Sequence, residues 1–395
     1  MTPADLDLLL RHTDKVVPEP ELAKKLESGR PLRVKLGLDP TAPSVTLGWA
    51  VVLRKLRQFQ ELGHTAVLIV GDFTAQVGDP SEKGSQRKRL TADEVNEYAD
   101  NVLGQFGKVL LTENLEIRRN SEWLSILDMY GLLELTSSAT VAQMLERSDF
   151  AKRYEAGTPI SVMEFLYPLL QGYDSVAVNA DVELGGSDQL WNLMMGRVVQ
   201  ERYGQDPQVA VTMPLLVGTD GSQKMSQSLD NYIAVEDEAG DMFGKTMSIP
   251  DETMGQWFRL AADYDSQSVD AIESGLASGD LHPNTVKRQL ARAVVALYWG
   301  EDAANLSEAD FDRVFRDRGT PDEIEDHALP SDDPVNVPAL IRDAFGISGA
   351  EARRMLTQGA VRLDGVVTEA QEASRSELVG KVMKVGKRRF VRLTD

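Results

Sequence analysis

The sequence has no cysteine, only four histidines and no long hydrophobic run. Without cysteine there is no disulfide, no thiolate metal site and no cysteine nucleophile. The histidines show no ligand spacing, so we expect no metal site at His12, His64, His282 or His327. No segment approaches the roughly 18 apolar residues of a membrane span, and the polar N-terminus lacks a secretory pattern. We therefore expect a soluble, cytoplasmic protein without a membrane partner.

The charge of the chain is unevenly distributed. The net charge is −20 over 395 residues, which argues against a surface that is coated with nucleic acid throughout. Residues 335–395, in contrast, contain eleven lysines and arginines against seven acidic residues. Only this end is suited to a polyanion. The length, with 42% hydrophobic residues, predicts two or three domains.

The stretch from Val34 to Leu62 predicts a short strand, a loop rich in Gly, Asp, Pro and Thr, and an amphipathic helix. A second apolar strand over His64–Gly71 completes a βαβ unit with parallel strands. The turn between strand and helix offers backbone N–H groups to a phosphate, which favours a nucleotide site. The alternative is a turn that only packs the helix on the strand.

Two further segments carry polar side chains at positions where open α/β sheets bind ligands. The loop over residues 71–91 contains acidic residues and a basic cluster, and its alternative interpretation is a solvated loop. The predicted helix Ser161–Asp174 places Tyr167, Gln171 and Asp174 on one face. This face predicts a polar pocket lining, although an ordinary solvent-exposed helix face would show the same pattern.

In the second half, a predicted strand over residues 175–186 ends before Asp188 and Gln189, an arrangement similar to a ribose site. Another strand leads into a Gly/Ser-rich loop, residues 219–232, whose one lysine suits a phosphate. Helical periodicity follows from about residue 242 to 315. The tail predicts two short helices, strands, and basic side chains suited to RNA binding rather than to a dimerisation cap, namely Arg353, Arg354, Arg362, Lys387 and Arg388.

These patterns predict an α/β fold class with a Rossmann-like parallel sheet. We expect the sheet domain over residues 1–218, with a helical insertion at about 92–160. A loop and a helical domain follow over 219–320. A linker over 321–334 then leads to a small α+β RNA-binding domain over 335–395.

Several motifs together resemble one family. In order, they are GLDPTAP with a TLGW tetrad, GDFTAQVGDPS, YPLLQGYD, LGGSDQ and KMSQS. The chain resembles the class I tyrosyl-tRNA synthetases of bacterial type over nearly its whole length, and its tail is similar to a ribosomal-protein-type RNA-binding domain. The resemblance implies a ligase that uses ATP with Mg²⁺ and binds tyrosine and tRNA. It also implies a homodimer formed through the nucleotide-binding domain.

The resemblance implies roles for individual residues. Asp174 would take the phenol proton of tyrosine, while Tyr167, Gln171 and Asp79 would hold the ammonium. Such a site rejects phenylalanine by up to ~10⁴–10⁵ because a buried carboxylate would stay unpaired. The other tyrosine-site residues are Lys35, Gly37 and Gln189. The residues implied to bind ATP are Asp39, Gly48, Trp49, Gly186 and Asp188, and those implied in catalysis are Thr41, Thr46, Lys83, Arg87, Lys224 and Gln227.

Three motifs depart from the family pattern. The HIGH tetrad reads Thr46-Leu47-Gly48-Trp49, so both histidines are missing. The second lysine of the KMSKS motif is Gln227, and Glu82 replaces the glycine of the PSG turn. Loss of one donor to the developing charge typically costs ~10²–10³ in rate. The Trp49 indole would either stack on the adenine or fill its space.

Three hypotheses follow from this combination. In the first, the chain is a tyrosine–tRNA ligase that works with its remaining cations and Mg²⁺. In the second, it is a degenerate synthetase paralogue that binds tyrosine, an analogue, RNA or a partner without aminoacylation. In the third, it activates a tyrosine analogue and transfers it to something other than tRNA.

Overall fold

The computed structural model describes residues 3–79, 91–315, 324–386 and 389–395. Its contacts divide the chain into two units, Met1–Glu308 and Ala309–Asp395. The first unit contains a six-stranded sheet with the strands β1 (Lys15–Val17), β2 (Arg33–Leu38), β3 (Thr65–Val70), β4 (Leu115–Arg119), β5 (Val182–Gly186) and β6 (Val209–Met213). The spatial order is β1-β6-β5-β2-β3-β4. Only β1 runs antiparallel to its neighbour, which confirms the predicted parallel sheet.

Helices follow most of the strands. Before and within the sheet region, the chain forms α1 (Pro3–Leu10), α2 (Glu19–Glu27), α3 (Leu47–Glu61), α4 (Thr74–Val77), α5 (Ala92–Phe106), α6 (Ser121–Leu124), α7 (Met129–Thr136), α8 (Val141–Met144), α9 (Ser148–Glu155), α10 (Val162–Ala177) and α11 (Leu190–Arg202). The region after the sheet is helical, as predicted, with α12 (Ala239–Met247), α13 (Met254–Leu260), α14 (Ser266–Ser278), α15 (Pro283–Trp299) and α16 (Glu301–Phe315). Short 3₁₀ helices cover Ser187–Gln189, Gln227–Leu229 and Asp251–Thr253.

The βαβ unit predicted from the opening stretch is present as β2, α3 and β3. Strand β3 is buried from Ala66 to Val70, as expected for a parallel strand that is covered on both faces. The Thr46 side chain caps α3 by accepting a hydrogen bond from the Trp49 backbone N–H. Apolar side chains of α3, including Leu53, Leu56 and Phe59, are fully buried. Burial of this stripe holds the helix on the sheet.

The centre of the sheet determines where a ligand can bind. From β2, the chain proceeds to β3 and β4 on one side, whereas β5 and β6 lie on the other side. The strand order therefore reverses between β2 and β5. In open α/β sheets, ligands bind at the carboxyl ends of the strands at such a point. The loops after β2, β3 and β5 contain many of the residues that the motifs predict as functional.

Two local predictions were wrong. Residues 92–160 were predicted as helices, but residues Leu115–Arg119 form the edge strand β4. This strand is only partly buried and includes two arginines, so it lacks the apolar run of a buried strand. The strand predicted over residues 175–186 begins only at Val182, because α10 continues to Ala177.

The second unit is a small α+β unit with its own core. It contains β7 (Asp326–Ala328), β8 (Val335–Asn336), α17 (Val337–Phe345), α18 (Gly349–Thr357), β9 (Val361–Leu363), β10 (Val366–Val367), β11 (Glu372–Ala373), α19 (Arg375–Leu378), β12 (Val382–Val385) and β13 (Arg389–Thr394). A five-stranded sheet has the order β10-β9-β12-β13-β7, and β8 pairs with β11. Within the part of the chain that the structure describes, no helix is long and apolar enough to cross a membrane.

Candidate active site

The loop after β2 meets the helix α10 at the carboxyl end of the sheet. The Tyr167 hydroxyl donates to Asp39 Oδ2 at 3.0 Å, and the Thr74 hydroxyl donates to Asp39 Oδ1 at 2.7 Å. Tyr167 comes from α10, whereas Thr74 begins α4 directly after β3. Asp39, which the motifs assign to the ATP phosphates, is therefore hydrogen-bonded to a residue that they assign to tyrosine.

Asp174 lies seven residues after Tyr167 on α10 and is held by two donors. Trp123 Nε1 donates to Asp174 Oδ1 at 2.8 Å, and Asn120 Nδ2 approaches Asp174 Oδ2 at 3.3 Å. Asn120 Nδ2 also donates to the Thr74 hydroxyl at 3.0 Å. A continuous chain of hydrogen bonds thus connects Asp174 to Tyr167. We call it the acidic network, and its members are Asp39, Thr74, Asn120, Trp123, Tyr167 and Asp174.

Burial determines the electrostatics of the acidic network. Burial raises the pKa of Asp39 to about 7, and the neighbouring carboxylates add to the rise. Burial likewise raises the pKa of Asp174 to about 6, against the attraction of Lys35. The pKa of Tyr167 is also raised, first by burial and then by Asp39. The network therefore holds two carboxyl groups that change charge near neutral pH.

Gly71 explains how Asp39 can reach the network. A Cβ atom at this position would clash with the Asp39 carboxylate and with the Thr74 hydroxyl. Only glycine leaves space for this close approach at the end of β3.

Gln171 and Lys35 both contact Glu183 of β5. The Gln171 side-chain Nε2 is 3.2 Å from Glu183 Oε1, and its Oε1 is buried without a hydrogen-bond partner. Lys35 is fully buried, and its Nζ donates to the Gln171 carbonyl and the Ser175 hydroxyl, both at 2.8 Å. Gly37, near the end of β2, is exposed, and a Cβ atom there would contact nothing. Direct contacts of Lys35 and Gly37 with tyrosine stay a prediction.

A second polar group surrounds Asp79. Gln189 Nε2 donates to Asp79 Oδ2 at 2.9 Å, and Arg147 Nη2 lies 3.7 Å from Asp79 Oδ1. Arg147 also donates to Asn192 Oδ1 at 3.1 Å, and Asn192 donates to Gln189 Oε1 at 2.9 Å. The structure thus brings together Asp79 and Gln189, two of the residues predicted to bind tyrosine.

The TLGW tetrad forms the first turn of α3 and the residue before it. Thr46 is only 3% exposed, and its hydroxyl is the acceptor that caps the helix. A Cβ atom on Gly48 would lie 3.5 Å from Met225 Cβ, so the KMSQS segment passes directly over this turn. Trp49 is half-buried. We call the tetrad together with Asp188, Lys224, Met225 and Gln227 the loop side of the site.

Two polar contacts connect the KMSQS segment to the loops after β2 and β5. Lys224 Nζ lies 2.9 Å from Asp188 Oδ2, and both side chains are partly exposed. Gln227 Nε2 donates to the Ser44 carbonyl at 2.7 Å. Asn231 holds the segment in shape, because its Nδ2 donates to the Lys224 carbonyl at 3.1 Å and its Oδ1 accepts from the Ser226 backbone N–H.

The remaining predicted residues are located as follows. Thr41 is half-buried in the loop after β2, and Gly186 ends β5, where a Cβ atom would clash with Asp188. Arg353, Arg354 and Arg362 are exposed in the second unit. Four residues lie outside the described part of the chain, namely Lys83, Arg87, Lys387 and Arg388.

Sequence reasoning missed four residues of the site. Asn120 and Trp123 follow β4, so the prediction of helix in this region concealed them. Thr74 follows β3 and could have been found from the rule that open α/β sheets bind ligands at the carboxyl ends of their strands. No sequence signal pointed to Arg147.

A family model for "tRNA synthetases class I (W and Y)" matches residues 27–316. The chain belongs to this family. It is 47% identical to the tyrosine–tRNA ligase of Moorella thermoacetica over 393 residues, which cover 98% of this chain and 95% of that protein. It is 44% identical to the tyrosine–tRNA ligase of Geobacter sulfurreducens over 401 residues, with 100% of both chains covered.

Solved structures agree with this assignment. The Archaeoglobus fulgidus tyrosyl-tRNA synthetase in complex with L-tyrosine has a TM-score of 0.62 and 25% identity, covering 77% of this chain and 98% of that one. The Aeropyrum pernix tyrosyl-tRNA synthetase has a TM-score of 0.63 and 22% identity, covering 80% of this chain and 98% of that one. The second likeness supports the fold alone.

Proposed function

We propose that this protein is a tyrosine–tRNA ligase, which activates tyrosine with MgATP and transfers the tyrosyl group to tRNA. The acidic network is the observation that carries the proposal. Asp174 is a buried carboxylate fixed by Trp123 and Asn120, and it suits the phenol of tyrosine. The names of the relatives at 44–47% identity favour the same activity.

In the first step, a carboxylate oxygen of tyrosine attacks the α-phosphorus of ATP, and the bond to pyrophosphate breaks. Asp174 would accept the phenol hydrogen bond, and Tyr167 would help to hold the ammonium. Lys224, now 2.9 Å from Asp188, would place its charge beside the leaving pyrophosphate. In the second step, a ribose hydroxyl of tRNA attacks the carbonyl carbon of the adenylate, and AMP leaves.

Tyrosine-dependent exchange of pyrophosphate into ATP, followed by charging of tRNA, tests the proposal. We expect exchange with tyrosine and far less with phenylalanine. Absence of exchange at high protein concentration would contradict the ligase function and favour the hypothesis of a non-catalytic paralogue. The related proteins give no support to that hypothesis. Exchange without tRNA charging would indicate transfer to another acceptor. Exchange gained only with Thr46→His and Trp49→His together would locate the defect in the tetrad.

For the second unit, we propose that its exposed arginines contact tRNA. Arg353 and Arg354 lie on α18, and Arg362 lies on β9. Lysine and arginine contacts with phosphates make binding dependent on salt. Filter binding of tRNA at several salt concentrations should show a smaller salt slope for Arg353→Ala with Arg354→Ala than for the unmodified chain.

We also propose a homodimer. The segment 117–162 exposes large apolar side chains, a feature that often marks a protein interface. The most exposed are Ile126, Met129, Tyr130, Leu133, Val141, Tyr154 and Val162, at 59–83%. Light scattering should give twice the mass of the 43.5 kDa chain. Leu133→Glu should shift the protein to the monomer, whereas Val366→Glu in the second unit should not.

A further inference from the structure

A buried ion pair connects β2 and β5, the two strands between which the strand order reverses. Lys35 of β2 and Glu183 of β5 are paired in register, and both side chains point to the same face. Their exposed fractions are 0% and 1%, and Lys35 Nζ lies 3.0 Å from Glu183 Oε1. A pair without solvent is costly unless hydrogen bonds satisfy both partners.

Here both partners are satisfied, and the bonds reach α10. Lys35 Nζ donates to the Gln171 carbonyl and the Ser175 hydroxyl, which flank Asp174 in the helix. Glu183 accepts from Gln171 Nε2 and from the Ser175 hydroxyl, both at 3.2 Å, and also from the Gln208 side chain. The ion pair therefore fixes the segment that carries Asp174.

The ion pair also determines the charge that surrounds Asp174. Lys35 attracts the ionised form of this carboxylate, whereas Glu183 repels it less strongly. Among the residues that the structure describes, the titratable groups that act on Asp174 or on which it acts are Lys35, Glu183, Asp39 and Tyr167. Of these, only Lys35 is a cation. Its removal would leave a buried carboxylate among groups that favour protonation.

We propose that Lys35 and Glu183 act as positioning residues: together they hold Asp174 in its orientation, and the charge of Lys35 outweighs that of Glu183 and keeps Asp174 ionised. The pair thereby gives the site its preference for a phenol over a phenyl group. The inference rests on the proposed tyrosine specificity, but it gives Lys35 a role that acts through Asp174 in place of the direct tyrosine contact that the motifs predict. The charge of Lys35 acts through Asp174, because its ammonium is enclosed by Gln171, Ser175 and Glu183.

Calorimetric titration with tyrosine from pH 5 to pH 9 tests the inference without ATP or tRNA. For the unmodified chain, the affinity for tyrosine relative to phenylalanine should fall on acidification with a midpoint near pH 6, where Asp174 becomes protonated. Lys35→Met should raise the midpoint by about one to two pH units and reduce affinity at pH 7 about two- to tenfold. Glu183→Gln should lower the midpoint. The double variant should lie between the unmodified chain and Lys35→Met.

Controls distinguish charge from packing. Lys55→Met also removes a buried lysine, 2% exposed, but from a position beneath α1, so its tyrosine profile should match that of the unmodified chain. Phenylalanine has the same ammonium as tyrosine but no phenol, so its pH profile should be the same in the unmodified chain and in every variant. If Lys35→Met does not fold, the opposite shifts of Glu183→Gln and of the double variant remain decisive. Equal midpoints in all folded variants would overturn the inference. No tyrosine binding by the unmodified chain would instead overturn the proposed function.

Discussion

The acidic network and the loop side differ in how their polar groups are held. In the network, Asn120 is fully buried and Asp174 is 3% exposed, and each is bonded to several partners. On the loop side, the Lys224 side chain is 45% exposed, and its ammonium pairs with Asp188, whose side chain is 28% exposed. The proposed recognition of the amino acid would therefore use groups fixed in advance, whereas the contacts expected for the triphosphate would depend on side chains that are open to solvent.

The largest effect should come from the acidic network. Asp174→Ala removes the acceptor proposed for the phenol and leaves the Trp123 indole N–H without its hydrogen-bond partner. We expect the preference for tyrosine over phenylalanine to fall by ~10²–10⁴, as kcat/KM in pyrophosphate exchange will show. Asp206→Asn, which changes a carboxylate with 84% exposure, is the control. An unchanged preference for tyrosine over phenylalanine in Asp174→Ala would mean that the acidic network does not recognise the phenol.

The next largest effect should come from the loop side. Lys224→Ala removes the remaining lysine of the KMSQS segment, in which Gln227 replaces the second lysine of the family motif. Adenylate formation should therefore slow by ~10²–10³. Single-turnover measurements should show the change in rate, while calorimetry should show unchanged tyrosine affinity. A parallel loss of tyrosine binding would contradict the division of the site into two differently held parts.

The third prediction concerns stability rather than rate. The pKa of Asp39 is raised to about 7 in the folded chain, so the carboxyl favours folding most below about pH 4, and this contribution is lost as pH rises through 7. Asp39→Asn should therefore stabilise the protein by ~1–2 kcal/mol at pH 8 and not at pH 4. Thermal unfolding at both pH values measures this. A gain that is the same at both would exclude ionisation as its cause.

The smallest effect should come from restoring charge. Gln227→Lys places an ammonium where the amide now donates to the Ser44 carbonyl. We expect adenylate formation to accelerate by at most about tenfold, because the gain of a cation is offset by loss of the contact between the Gln227 amide and the Ser44 carbonyl. Gln227→Met, which lacks both charge and donor, is the matched control. Equal rates in the two variants would show that the loop side does not depend on charge at this position.

Much of the fold followed from sequence patterns. Strand β2, helix α3 and strand β3 lie within a few residues of their predicted limits, because each has the apolar period of its element. Strand β4 was missed since its arginines interrupt that period, and Asn120 was missed with it. The pairing of Lys35 with Glu183 could not be predicted, because it depends on the register of two strands far apart in the chain.

The raised pKa of Asp39 also has a consequence for the heat of substrate capture. Near neutrality, a sizeable fraction of free molecules carries a proton on this carboxyl. The ammonium that Tyr167 is predicted to hold would arrive beside Asp39, since the two side chains are hydrogen-bonded. A positive charge there favours the ionised form. Averaged over all molecules, binding of one tyrosine should then release a fraction of a proton to the buffer. The measured enthalpy of tyrosine binding will therefore depend on the ionisation enthalpy of the buffer used.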